Sequence, residues 1–264
     1  MIQLKSTKIN LLLQSWPLGS VATSTWLNSQ GVRFDLAERY RRSGWLKTIG
    51  KGACIRTGDT VGWQGAVSAL QGQLGMLIHP GGKSALNLLG KSHDVSTSSR
   101  EEITLYSQRD ERVPKWFVSN DWDAQITMVH TGLFPSGLQA GFSTLTYGNF
   151  TVRVSSAERA IMEMLYSVPA MNTPEQVKKI FEGLITLRPD VVSELLVNCG
   201  SRKAKRLFMV LAEMHGHPWL EKLDLSGIDF GKGKRVLVKG GRFDSTYQIT
   251  VPLNWHTRDS EQHR

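Results

Sequence analysis

Residues 32–57 read VRFDLAERYRRSGWLKTIGKGACIRT, and they indicate the fold more clearly than any other part of the chain. Residues 34–43 have helical spacing, and the glycine at position 44 can end a helix in the left-handed conformation. Residues 45–49 and 53–57 then read as two strands around a glycine–lysine–glycine turn. A helix rich in arginine is therefore predicted to lead into a short β-hairpin.

The residues before this stretch predict two more helices. An apolar face that includes Leu12 marks the first helix, and Pro17 cannot continue it. Ser20 or Thr23 can cap the second helix, which Gly31 closes. Helices followed by a hairpin in this order are typical of a winged helix-turn-helix.

In such a domain the third helix and the hairpin contact duplex DNA. The helix would enter the major groove, and the hairpin would reach the flanking backbone or the minor groove. On the helix, Phe34, Ala37 and Tyr40 are expected to share one apolar face. The predicted DNA-contacting residues are Arg33, Arg39, Tyr40, Arg41, Arg42, Lys47, Lys51 and Arg56. The alternative is a small helical subdomain whose arginines face water.

Positive charge is concentrated in two blocks of the sequence. The chain carries a formal net charge of +9 and has a pI of about 9.7. Residues 1–92 contain 11 Lys and Arg against 3 Asp and Glu, and residues 201–242 contain 10 against 4. Between these blocks, residues 93–200 contain 9 against 13. Segregated cations indicate anionic partners, and binding to phosphates should weaken steeply with salt.

Length and composition predict an α+β protein of two domains. We expect an N-terminal winged helix-turn-helix in residues 1–92 and a mixed helix/strand domain in residues 93–264, with a serine-rich boundary at 92–100. No apolar run approaches the roughly 20 residues that span a bilayer, and the N-terminus is a poor signal peptide, so we expect a cytoplasmic protein. Cys54 and Cys199 lack metal-binding spacing and read as reduced, buried thiols.

The C-terminal part mixes strand and helix patterns. Strands are expected at residues 103–106, 116–118, 126–129, 142–147, 150–154, 236–238 and 247–251. Residues 155–158 (SSAE) and 173–176 (TPEQ) read as capping boxes that begin two helices. Pro189 is expected to open a further helix, and Ser201 to cap the last long one.

A second basic surface is expected where that last helix begins. Its first turns carry four cations, although the helix dipole disfavours positive charge there. A phosphate, an RNA or an acidic protein face would compensate, and the glycine-rich segment 231–235 could extend the surface. The alternative is a set of solvated, snorkelling side chains. The predicted residues are Arg202, Lys203, Lys205, Arg206, Lys232, Lys234 and Arg235.

No motif predicts catalysis, a cofactor or a metal site. Residues 80–84 (PGGKS) lack the first glycine of a phosphate-binding loop, since Leu77 stands at that position, and Ser84 is expected to cap a helix. Residues 215–217 (HGH) have no convergent carboxylates or cysteines beside them in the sequence. We therefore expect a binding protein and not an enzyme.

Five short segments keep their order along almost the whole chain. They are residues 40–46 (YRRSGWL), 81–90 (GGKSALNLLG), 154–160 (VSSAERA), 205–208 (KRLF) and 229–235 (DFGKGKR). Together they resemble the antitoxin and transcriptional regulator of AbiE-type (type IV) bacterial toxin–antitoxin systems. A departure from the family pattern is Arg33-Phe34-Asp35 at the start of the third helix, where a small capping residue is more usual.

The resemblance implies an N-terminal winged helix-turn-helix and a C-terminal antitoxin domain. It implies binding to inverted repeats in the operon's own promoter, autorepression, and protection against a nucleotidyltransferase-type toxin without a required stable complex. Its DNA-binding element would include Arg33, Arg39, Arg41, Arg42 and Lys51, and its antitoxin domain Arg202, Lys203 and Arg206. Two other functions remain open: a ligand-sensing winged-helix regulator with an apolar pocket, and an RNA-binding protein that uses residues 202–235.

Overall fold

The structure is a computed structural model that describes residues 7–91 and 100–255. The α-helices in these ranges are α1 (Lys8–Ser15), α2 (Ser24–Ser29), α3 (Phe34–Arg42), α4 (Trp63–Leu74), α5 (Gly82–Leu88), α6 (Lys115–Val118), α7 (Ala157–Tyr166), α8 (Pro174–Glu182), α9 (Pro189–Asn198) and α10 (Arg202–His215). A 3-10 helix covers Leu220–Lys222. The strands are β1 (Ala22–Thr23), β2 (Leu46–Gly50), β3 (Ala53–Arg56), β4 (His79–Pro80), β5 (Glu101–Ser107), β6 (Ala124–His130), β7 (Phe142–Tyr147), β8 (Phe150–Ser155), β9 (Arg235–Val236), β10 (Arg242–Asp244) and β11 (Ile249–Val251).

The N-terminal elements form the predicted winged helix-turn-helix. Helices α1, α2 and α3 lead into the antiparallel hairpin β2–β3, and β1 adds a strand in the order β1–β3–β2. The Thr23 hydroxyl accepts a hydrogen bond from the Trp26 amide at 3.2 Å, so Thr23 is the cap of α2. Leu12, Leu27 and Leu46 pack in one small core that holds these elements together.

The apolar face predicted for α3 is wrong for one residue. Ala37 is buried, and Leu36 and Tyr40 pack against the same core. At about 100° per residue these three positions fall within one arc of the helix, and Phe34 falls outside it. The Phe34 side chain is consequently 74% exposed. Arg33 is the N-cap residue, and its side chain makes no capping hydrogen bond. Helix α3 therefore begins without a small capping residue, as the sequence indicates.

The hairpin β2–β3, which we call the wing, is supported by α6. Asn120 donates to the carbonyl oxygens of Ile49 and Trp116, each at 2.6 Å. A Cβ atom placed on Gly50, whose φ is +146°, would lie 2.8 Å from the Trp116 Cβ. The strand predicted at residues 116–118 is wrong: they lie in α6, because a three-residue apolar run carries no periodicity that separates helix from strand.

Strands β5 and β6 pair in parallel from Glu101↔Ala124 to Ser107↔His130. The strands predicted at 103–106 and 126–129 are thereby confirmed. Strands β7 and β8 form the expected hairpin around residues 148–149.

Helices α5 and α7–α10 enclose a large apolar core in the C-terminal part of the chain. Its buried members include Ile161, Phe181, Leu195 and Phe208. The capping box at the start of α8 is confirmed by both of its hydrogen bonds, and Pro189 occupies the first turn of α9. Ser201 caps α10 through the Ala204 amide at 3.2 Å.

Two helix starts differ from the sequence-based expectation. Helix α7 has Ser156 as its N-cap, which puts Glu158 one position too early for a capping box, and the Ser156 hydroxyl donates to the Glu158 carboxylate at 2.5 Å. Helix α5 begins at Gly82 with Gly81 as its N-cap, so Ser84 lies inside the helix and does not cap it. Both errors are shifts of one to three positions in where a helix begins.

A small sheet ends the described chain in the order β10–β11–β9. Strand β9 covers one residue of the predicted strand 236–238 and the residue before it, and β11 covers the last three of 247–251. Strand β10 is not among the predicted strands, because no alternating pattern marks its three residues in the sequence.

The described residues form two compact units whose segments alternate along the chain. The first includes the described residues of 1–79, 96–130 and 144–153, and the second those of 80–95, 131–143 and 154–264. Residues 92–99, where the sequence places the domain boundary, lie outside the described residues. The division at residue 92 therefore stays a prediction, and no single cut in the chain separates the two units.

Among the helices of residues 7–91 and 100–255, none has the length and hydropathy of a membrane span.

Candidate nucleic-acid interface

Helix α3 and the wing present cations to solvent. Five of the predicted DNA-contacting residues are exposed. Three lie along α3, from its N-cap to its last residue, one lies on β2, and one lies at the tip of the wing. They are Arg33, Arg39, Arg42, Lys47 and Lys51. The turn that carries Lys51 places glycines on both sides of it, and Gly52 has a φ of +88°.

An ion pair within α3 orients Arg41. Its Nε and Nη2 donate to the Glu38 carboxylate at 3.0 and 2.5 Å, and Arg42 Nε lies 3.4 Å from the other Glu38 oxygen. The hydrogen bond from Arg41 holds the pKa of Glu38 below its usual range. Arg42 nevertheless keeps a side chain that is 79% exposed, so its charge remains available to a partner, whereas Arg41 is half-buried.

Two of the predicted DNA contacts are partly buried against the protein. Arg56 donates through Nη2 to the Leu13 carbonyl oxygen at 2.5 Å, and its guanidinium lies 5.5 Å from the Trp16 ring centroid. Burial lowers the pKa of Arg56. Tyr40 packs against the apolar core of the helix-turn-helix. Arg56 therefore ties β3 to α1, and a contact between this residue and DNA stays a prediction.

An exposed aromatic residue at the start of α3 lies outside the set of contacts that the sequence predicts. Phe34 is the first residue of the helix, and the Arg41 Cζ lies 5.8 Å from its ring centroid. Trp45, between α3 and the wing, is 47% exposed. The signal available in the sequence was the spacing of Phe34, Glu38 and Arg41, which puts them on one face of a helix.

The second basic surface is smaller than the sequence predicts, because three of its cations turn inward. Arg206 is 1% exposed, and its guanidinium donates to four backbone carbonyl oxygens. Lys205 is buried and donates to the Asp229 carbonyl oxygen at 3.2 Å. Lys203 donates to the carbonyl oxygens of Tyr166 and Val168, and burial lowers its pKa. These three residues hold neighbouring backbone, and their charges are less available on the surface than the sequence predicts: Lys205 and Arg206 are buried and Lys203 is partly buried.

Four of the seven predicted cations are exposed. Arg202 pairs with Asp229 at 3.1 Å, with both side chains largely in solvent, and Lys234 Nζ lies 5.2 Å from the Phe243 ring centroid. A cavity of about 480 Å³ opens beside the start of α10, with cationic side chains in its wall. The exposed cations are Arg202, Lys232, Lys234 and Arg235, and we call them the C-terminal basic surface.

The glycine-rich start of α5 binds an internal carboxylate. The Gly82 amide donates to Glu163 at 2.8 Å, and the same buried carboxylate accepts from the Ser155 hydroxyl at 2.9 Å and from Arg159 Nε at 3.3 Å. A helix N-terminus favours an anion, and here the protein supplies one from α7.

Glu158 forms a second buried ionic contact on α7. Burial by itself would raise its pKa, but hydrogen bonds from the Arg188 guanidinium and amide and from Ser156 outweigh burial and lower the pKa to about 2. This carboxylate is therefore ionised throughout the ordinary pH range and anchors the segment that leads into α9.

The remaining reactive side chains have structural surroundings. Cys54 and Cys199 are free and buried, and burial raises the pKa of each thiol to about 11. His217 bonds the Phe181 carbonyl oxygen at 3.0 Å, and its ring stacks 5.6 Å from that of His215. Among the described residues, no group of three or more His, Cys, Asp or Glu side chains is arranged to hold a metal ion.

Two protein-family models together match nearly the whole chain. Residues 5–97 match the family model described as "Transcriptional regulator, AbiEi antitoxin N-terminal domain". Residues 100–252 match "Transcriptional regulator, AbiEi antitoxin, Type IV TA system". The chain belongs to the AbiEi antitoxin family. The α+β fold and the winged helix-turn-helix are thus those of an AbiEi transcriptional regulator.

Solved structures agree on the fold. The crystal structure of the RV2827C protein from Mycobacterium tuberculosis superposes with a TM-score of 0.54 at 15% identity, over 91% of this chain and 88% of that one. At this identity the likeness concerns the fold of the AbiEi chain alone. Comparison with curated proteins gives no match.

Proposed function

We propose that this AbiEi protein binds operator DNA through α3 and the wing, represses its own operon, and neutralises a nucleotidyltransferase-type toxin. The observation that carries the DNA-binding part is the set of exposed cations on α3 and the wing. Arg39 and Arg42 lie three residues apart on the solvent side of α3, and Lys51 tips the wing. A recognition helix in the major groove with a cationic wing beside it would use side chains at these positions.

Phosphate contacts by these cations would supply most of the affinity and make it depend on salt. For duplex DNA the slope of log Kobs against log salt is about −0.9 for each phosphate contacted. The palindromic operator implied by the family requires two copies of α3, one in each half-site.

The test of DNA binding compares two double variants. Arg39→Ala with Arg42→Ala should weaken binding to a duplex from the promoter upstream of the gene and reduce the salt slope by about 0.9 for each phosphate that is no longer bound. Lys179→Ala with Lys222→Ala removes the same charge from exposed positions in the second unit and should leave both quantities unchanged. Equal binding by wild type and the α3 variant, at every salt concentration, would remove α3 from the interface.

We assign neutralisation of the toxin to the C-terminal basic surface. Two of its four exposed cations, Arg202 and Arg235, line the cavity beside the start of α10 together with Lys203 and Lys205. This lining of mostly cationic and polar groups suits a phosphate-bearing or acidic partner better than an apolar effector. The surface lies wholly in the second unit, so a change there should leave α3 and the wing intact.

A growth assay tests this assignment. The variant with glutamate at all four positions of the C-terminal basic surface is expected to lose rescue from the toxin encoded beside the gene, while it still binds promoter DNA. Lys179→Glu with Lys222→Glu is the control for added negative charge and should rescue fully. Full rescue by the four-site variant would contradict the assignment, and loss of co-purifying RNA from that variant would instead support the RNA-binding alternative.

A further inference from the structure

We propose that Phe34 reads a thymine, by packing its ring against the 5-methyl group in the major groove. This inference rests on the DNA-binding function proposed above. It concerns which bases are recognised, a property that cations on phosphates do not determine. The structural basis is a large apolar side chain, 74% exposed, at the first position of the recognition helix.

The position of Phe34 at the start of the recognition helix favours contact with base edges over contact with phosphates. In helix-turn-helix complexes the N-terminal residues of the recognition helix reach the base edges, while other parts of the motif contact the backbone. Phe34 occupies this N-terminal position in α3, next to exposed Asp35. An aromatic ring beside a carboxylate is a poor surface for phosphates, which carry negative charge and bind donors. The thymine methyl is the apolar group that the major groove offers to such a ring.

The ring has a charged neighbour on α3, the guanidinium of Arg41. Arg41 lies with its Cζ 5.8 Å from the ring centroid of Phe34, and Glu38 holds Arg41 through two hydrogen bonds of 2.5 and 3.0 Å. The three residues are at positions i, i+4 and i+7 of α3 and share one exposed face. Arg41 is thus paired with Glu38 and lies beside the ring on the face that Phe34 exposes.

The charge around the ring fits duplex DNA better than an apolar protein surface. Arg33 precedes Phe34, and exposed Arg42 lies two turns along the helix. Both would bring the ring toward a polyanion, and burying one methyl group against the ring should favour thymine over a base without it by about fourfold.

The experiment selects duplexes from a random pool with the wild-type chain and with Phe34→Ala, then replaces each thymine of the selected duplex by uracil, which lacks only the methyl group. We expect wild type to lose about fourfold in affinity at one or two thymines of each half-site. Phe34→Ala should bind more weakly overall and show no loss at those same positions. Phe34→Leu, which keeps an apolar side chain, should retain the dependence on the methyl group.

Two controls separate this proposal from the general function. Trp45→Ala removes another exposed aromatic residue and should keep the thymine-to-uracil effect at the same positions. Since Phe34 is exposed, its variants should melt at the wild-type temperature. If Phe34→Ala selects the same sequence and shows the same uracil effect as wild type, the inference is overturned while DNA binding stands. If wild type enriches no duplex at all, the proposed DNA binding fails, and the inference with it.

Discussion

Replacing Arg206 by alanine should destabilise the protein strongly, although its sequence context suggests a surface cation. The guanidinium donates from Nε to Phe230 at 2.9 Å, from Nη1 to Gly233 at 2.7 Å and to Gln248 at 3.0 Å, and from Nη2 to Gly231 at 3.0 Å, in each case to the backbone carbonyl oxygen. One buried side chain thus closes the glycine-rich loop over α10 and joins it to the residue before β11.

The size of the effect follows from those four hydrogen bonds. A hydrogen bond from a charged donor contributes about 1.5–3 kcal/mol to stability, and contributions that share one group are not additive. When the guanidinium is removed, water can hydrogen-bond to the exposed loop around Gly233, which limits the loss of stability. We therefore expect the free energy of unfolding to fall by about 3–5 kcal/mol, because the buried carbonyl oxygens that lose their donor cost about 1–3 kcal/mol each. The corresponding drop in Tm is roughly 6–20 °C.

Thermal unfolding monitored by circular dichroism measures this loss directly. Arg206→Lys should fall between wild type and Arg206→Ala, because an ammonium group cannot reach four carbonyl oxygens in the plane that a guanidinium spans. Arg202→Ala is the matched control, since Arg202 is exposed on the same helix and its ion pair with Asp229 lies in solvent, and its Tm should stay near that of wild type. A Tm for Arg206→Ala within about 1–2 °C of wild type would refute the structural role assigned to this side chain.

Two further predictions concern the wing and a buried carboxylate. Gly50→Ala should shift the wing, because the added Cβ would lie 2.8 Å from the Trp116 Cβ. The expected result is weaker binding to promoter DNA with little change in helix content. Gly52→Ala is the control for the loss of a glycine at positive φ, since its added Cβ meets no atom within 4 Å. The folded-state pKa of Glu158 is lowered from 4.5 to about 2, so its contribution of about 3 kcal/mol should be complete above pH 4.5 and be lost as the pH falls toward 2. Stability measured from about pH 2 to 6 should therefore be flatter for Glu158→Gln than for wild type, and parallel curves would argue against this carboxylate as the source.

Most of the winged helix-turn-helix could be predicted from the sequence because its signals are local. The helical pattern of α3, the glycine after it and the glycine–lysine–glycine turn each act over a short stretch of chain. The structure confirms all three elements, although Phe34 lies outside the buried face of α3. The support of the wing by Trp116 and Asn120 could not be predicted in this way. Asn120 bonds a backbone atom 71 positions earlier, and no local pattern reports such a contact.

Charge patterns predicted the second basic region less well, for a related reason. A run of arginine and lysine at the start of a helix is ordinarily exposed, and four of the seven predicted cations are. Lys203, Lys205 and Arg206 depart from this rule because backbone carbonyl oxygens converge on them. For Arg206 those oxygens come from residues 24 to 42 positions away, so their number and direction depend on how the chain returns over α10.

The fold class, the order of helix and hairpin, the segregation of positive charge and the resemblance to AbiEi antitoxins could all be read from the sequence, because spacing, turn residues and composition act through neighbours in the chain. Which cations are free to bind a partner, and which hold the protein together, became evident only in the folded chain. The same holds for the exposure of Phe34 and for the hydrogen bond from the Gly82 amide to the carboxylate of Glu163, 81 positions later. Burial and hydrogen-bond partners depend on segments that are distant in sequence, and only folding brings these segments together.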